Sequence, residues 1–74
     1  MKHKDVMFTI VSEISGKSVD EIRRTFPPAL NTPAMEQELT DEEATKLLGE
    51  LRKEKAGIRK WMEQGLMRGI AKSN

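Results

Sequence analysis

The side chains that could do chemistry in this chain are few, and nearly all of them are charged. The 74 residues include one histidine, His3, and neither cysteine nor tyrosine. Without thiolates there is no disulfide framework and no sulfur-ligated metal site. One imidazole cannot build a histidine metal centre. A Ser-His-Asp arrangement would have to recruit His3 from an N-terminus expected to fray. The run Asp41-Glu42-Glu43 reads as the solvated first turn of a helix, not as paired catalytic carboxylates. These residues point away from an enzyme and call for no cofactor and no metal.

What remains is binding chemistry. Thirteen Lys and Arg stand against 12 Asp and Glu, a formal net charge of +1. That balance conceals a division. Residues 31–51 hold six acids and one lysine, whereas residues 52–74 hold seven Lys and Arg and two acids. Such segments suggest an electrostatic partner, or pairing with each other within one chain or between copies. On a helical wheel Arg52, Lys55 and Arg59 cluster, while Lys60 and the other cations of the tail point to other sectors. Together with Arg23 and Arg24 they make nucleic acid a possible partner, bound through phosphate contacts. Gly57, Trp61, Gly65 and Gly69 recur every four residues, where small side chains permit close helix approach and Trp61 could anchor a partner. Ile58, Trp61, Met62 and Leu66 are the candidate partner-binding residues of this segment, with Met62 and Met67 as adaptable apolar surface.

The elements that must position these residues are helical. Val6, Met7, Ile10, Val11 and Ile14 recur at spacings of three and four, which predicts a helix near 5–15 ended by Gly16. Its β-branched content leaves a strand as the minority alternative. Ser18 and Glu21 form a capping-box pattern opening a short helix near 19–26, which Pro27 and Pro28 end. Residues 27–39 contain three prolines and read as a linker, with Leu30, Met35 and Leu39 packing it across the domain. Thr40 and Glu43 repeat the capping box and open a third helix near 41–56. Gly57 is the expected break before a fourth helix near 58–71. A continuous helix over 41–71 is the alternative, since the apolar positions stay in phase. The reading is all-α, a single domain of three or four short helices. Its expected core is Val6, Ile10, Ile14, Ile22, Phe26, Leu47, Leu51, Ile58 and Met62.

The first two helices also suggest a helix-turn-helix, with Gly16 in the turn and Arg23 and Arg24 behind it. Asp20 and Glu21 oppose that, because they occupy the start of the would-be recognition helix, where phosphates lie.

Residues 9–26, TIVSEISGKSVDEIRRTF, resemble the C-terminal helical region of the Skp1-type adaptors of SCF ubiquitin ligases. Thr9, Ile14, Gly16, Lys17, Glu21, Ile22, Arg23, Thr25 and Phe26 match the family pattern as they stand. The stretch Leu39–Ala44 is similar to the start of a later helix in that family, and Arg52-Lys53-Glu54 with Trp61 is loosely similar to its ending. Val19 stands where the family carries a proline. The resemblance implies an all-helical module that binds helices of substrate receptors, with Ile22, Phe26 and the helix beginning near Asp41 at the binding surface.

The function expected from the sequence is a small non-catalytic protein–protein interaction module, dimerising or docking a partner helix in an apolar groove. The alternative is a small nucleic-acid-binding regulator. No stretch is apolar for the roughly 20 residues a membrane span requires, and the expected location is the cytoplasm.

Overall fold

The structure, a computed structural model, describes residues 1–65, 67 and 68. It contains four α-helices and, among the described residues, no strand. The first helix, α1, runs over His3–Ser15. It begins two residues earlier than the periodicity predicts because Asp5 holds its start: the Asp5 carboxylate accepts from the Lys2 backbone N–H at 3.1 Å. Val6, Ile10, Val11 and Ile14 are buried along one side, and Phe8 is buried beside them. The β-branched residues therefore sit in a helix, because tertiary burial of the stripe outweighs their modest local preference for a strand.

Gly16 ends α1 with φ 77°, and its N–H donates to the Ser12 carbonyl at 2.9 Å. A side chain at that left-handed conformation is strained, so the residue type decides where the helix stops. The second helix, α2, spans Val19–Thr25, with the Ser18 hydroxyl accepting from the Glu21 N–H at 3.1 Å. It aims one residue, Ile22, fully into the core.

The proline-containing linker is ordered by two 3-10 turns, Pro28–Leu30 and Pro33–Glu36, each with proline at its start. Met35 is buried, so the linker does pack across the domain. Its far end is stitched to the N-terminus: His3 N–H donates to Gln37 and Leu39 N–H donates to Met1, both at 2.8 Å. The terminal amine adds an ion pair with Glu38 at 3.0 Å. His3 is thus held in place and not on a frayed end.

Helix α3 covers Asp41–Lys53 and carries both arms of a capping box. Thr40 Oγ1 accepts from Glu43 N–H at 3.1 Å, and the Glu43 carboxylate accepts from Thr40 N–H at 2.9 Å. The chain then breaks at Glu54 (φ −106°, ψ 15°), and α4 runs over Lys55–Gln64. The break is real but lies three residues before Gly57, which sits inside α4. Gly57 is not the stop because among the described residues only Gly16 has a positive φ. As the sequence suggests, no side chain caps α4. Helix α4 ends at Gln64, and the expected limit at 71 lies outside the described residues. Leu66 and residues 69–74 lie outside the described residues.

The core gathers Phe8, Ile10, Val11 and Ile14 from α1, Ile22 from α2, and Met62 and Met67 from the C-terminal part. Phe26, Leu51 and Ile58, expected inside, are only partly buried and pack against this cluster. Leu47 is likewise only half-buried. Short helices over so small a core cannot cover every apolar position.

Candidate protein-binding groove

Met7 and Val11, one turn apart on α1, line an apolar groove of about 150 Å³. Phe26 at the end of α2, Leu30 in the first 3-10 turn and Met35 in the second also line it. Ile58 and Trp61 of α4, with Met67, complete the lining. Pro27 turns the chain straight after Phe26 and leaves that ring half-buried at the helix end. On α4 Met62 enters the core while Trp61, about 100° round the helix from it, lines the groove with 53% of its surface exposed. Trp61 and Met1 are the large apolar residues left exposed among those described.

Phe26 also lines a second, more polar cleft of about 470 Å³. Here its ring meets Phe8 edge-to-face, with centroids 5.1 Å apart and planes at 75°. The Arg23 guanidinium lies 5.6 Å from the Phe8 ring centroid and 3.4 Å from the Asp5 carboxylate. Lys2, Lys4 and Asn31 complete the cleft. The two lysines share one carboxylate: Glu36 accepts from Lys2 at 2.9 Å and from Lys4 at 2.8 Å. Those hydrogen bonds, Lys2 first, hold the Glu36 carboxyl down at about 2.

Three cations of the basic segment, Arg52, Lys55 and Arg59, are engaged within the chain. Arg52 and Lys55 both bind Glu13 of α1, and their hydrogen bonds hold its carboxyl down at about 2. Arg59 donates to the Ile14 carbonyl and lies 3.7 Å from Glu63. The expected pairing of the acidic middle with the basic tail therefore does not form among the described residues. Arg52, Lys55 and Arg59 bind α1, and Glu36, the one acid of the second 3-10 turn, binds Lys2 and Lys4. Of the residues considered for nucleic acid, Arg23 is held by Asp5, whereas Arg24 and Lys60 are exposed and make no ion pair among the described residues.

The candidate partner-binding residues are split in the same way. Phe26, Ile58 and Trp61 come together at the groove. Ile22 and Met62 are fully buried in the core, as the apolar pattern predicts, and so offer a partner no surface, whereas Met67, 2% exposed, still lines the groove. Leu66 falls outside the described residues. The groove residues that sequence reasoning passed over are Met7, Val11, Leu30 and Met35. The i, i+4 pair on α1 and the apolar residues among the linker prolines were their signal, but neither reveals that they meet.

Among the described residues no group of three or more His, Asp or Glu could hold a metal ion, and no helix is long and apolar enough to cross a membrane. No protein-family model matches the chain, and no curated protein and no solved structure is significantly similar to it.

Proposed function

We propose that this chain is a small non-catalytic protein–protein interaction module whose groove accepts apolar side chains of a partner helix. The observation that carries the reading is Trp61, more than half exposed in the lining of an apolar groove. A tryptophan left in water beside a depression of side-chain size offers a large desolvation gain on binding, and such residues dominate interface energetics. An amphipathic helix laying one apolar row into the groove is the recognition mode that fits. The adaptor-like stretch over residues 9–26 agrees with this, since it builds α2 and delivers Phe26 to the groove. The engagement of Arg52, Lys55 and Arg59 with Glu13 and the Ile14 carbonyl weighs against the nucleic-acid alternative, because a phosphate would compete with those internal partners.

Trp61→Ala tests the reading. The variant should keep its helical circular dichroism and abolish binding of amphipathic helical peptides, together with any self-association seen by sedimentation. Binding that ignores Trp61, or oligonucleotide binding at low salt that depends on Arg24 and Lys60, would count against it.

A further inference from the structure

The apolar groove and the polar cleft share Phe26 as a common lining residue. One side of that ring meets apolar side chains. The other side opens on Lys2, Lys4 and Arg23. Asp5 and Glu36 balance only two of these three cations. Each lysine ammonium has three donors and spends one on Glu36, so both can accept a further anionic partner. The Arg23 contact with Asp5, at 3.4 Å, is the longest ion pair on that side. A ligand crossing Phe26 therefore meets apolar surface and then a net positive field within one small footprint.

We infer that the partner is an acidic amphipathic segment: apolar residues enter the groove beside Trp61, and Asp or Glu residues about one turn away face Lys2, Lys4 and Arg23. The inference rests on the interaction reading above and specifies the partner's chemistry. Glu36 then acts as an internal competitor. It occupies the two lysines in the free protein and yields part of their capacity when the acidic segment binds.

Trp61 is the chain's sole tryptophan and lines the groove, so its emission reports occupancy directly. The full chain is titrated with three synthetic helical peptides that share one apolar face and carry Glu, Gln or Lys on the polar face. The Glu peptide should bind about fivefold tighter than the Gln peptide at low salt, the effect of a few exposed ion pairs. That preference should fade at high salt. The Lys peptide should bind weakest. Lys4→Gln and Arg23→Gln, each checked for retained helicity, should erase the Glu preference without weakening the Gln peptide. Glu36→Gln should increase it. Equal binding of all three peptides, or a Glu preference unmoved by these variants, would overturn the charge inference while leaving the groove reading in place. No change in Trp61 emission and no binding by sedimentation with any peptide would sink both. Displacement of the Glu peptide by a single-stranded oligonucleotide at equal concentration would overturn the inference in favour of nucleic acid at this cleft.

Discussion

Arg52 grips Glu13 through two hydrogen bonds, Nε to Oε1 at 3.0 Å and Nη2 to Oε2 at 2.6 Å, across 39 residues of chain. Lys55 adds a third contact at 2.9 Å from the other side of the Glu54 break. A single carboxylate on α1 thereby fastens the end of α3 and the start of α4. A fork-to-carboxylate pair of this kind is the geometry in which an exposed ion pair contributes most.

This arrangement sets an acid limb of stability. The hydrogen bonds from Arg52 and then Lys55 depress the Glu13 carboxyl from 4.5 to about 2, and Glu36 is depressed likewise by Lys2 and Lys4. A carboxylate whose folded value is depressed contributes fully above its unfolded value and loses that contribution as pH falls toward the folded one. Thermal stability should therefore decline as pH is lowered from about 4.5 to about 2. Glu13→Gln should cost roughly 1 kcal/mol near neutrality and flatten part of that decline. A variant with unchanged midpoint and unchanged pH slope would show that the three-way contact contributes nothing.

The two glycines next to helix boundaries should respond with opposite signs. Gly57→Ala should stabilise by about 1 kcal/mol, since alanine is the better helix former at an interior position. A methyl there meets nothing within 4 Å. Gly16→Ala should destabilise by about 1 kcal/mol, because the φ of 77° penalises any side chain even though the space is open. Urea unfolding of both variants checks this. A destabilised Gly57→Ala would return the helix break to Gly57.

Neighbouring residues on α4 should separate fold from function. Met62 is fully buried, so Met62→Ala should cost about 2–5 kcal/mol by leaving a cavity. Trp61→Ala should cost about 1 kcal/mol or less, because half of the indole is already in water. Thermal melts of the pair decide the matter. Comparable losses would mean that Trp61 is a core residue and not a binding anchor.

The start of α3 depends on one hydroxyl. Thr40→Ala should cost about 1 kcal/mol through loss of the cap, and Thr40→Ser should restore most of it. The Thr40 backbone hydrogen bond and, after it, the Thr40 side-chain hydrogen bond depress the Glu43 carboxyl, so the Ala variant should move its titration upward and the Ser variant should keep it low. Carboxyl-resolved NMR titration of both variants reads this directly.

How far the sequence reveals the site follows from the range of the interactions. Phe26 and Ile58 were visible as candidates because they belong to apolar stripes, and Trp61 because it shares a face with Gly57 and Gly65 at spacing four. Their meeting with Met7, Val11 and Leu30 was not visible, because it depends on how the helices and the linker pack. Met62 is hidden although Trp61, its neighbour in sequence, is exposed, because successive residues lie about 100° apart around a helix. Ile22 is buried as the apolar pattern predicts, and α2, being short, spends its single inward position on the core, so Ile22 cannot also face a partner.

By itself the sequence determined the features set by neighbours within one helical turn. Ser18 and Thr40 open helices because their hydroxyls reach N–H groups three residues on, Gly16 closes one because it tolerates a left-handed φ, and Pro27 ends another by crowding the residue before it. The tertiary structure alone decided which opposite charges meet and which apolar residues stay in water. Glu13 chose Arg52 and Lys55, and Glu36 chose Lys2 and Lys4, across separations of more than thirty residues. Those choices depend on the packing of α1 against everything else, and no local preference encodes a distance of that kind.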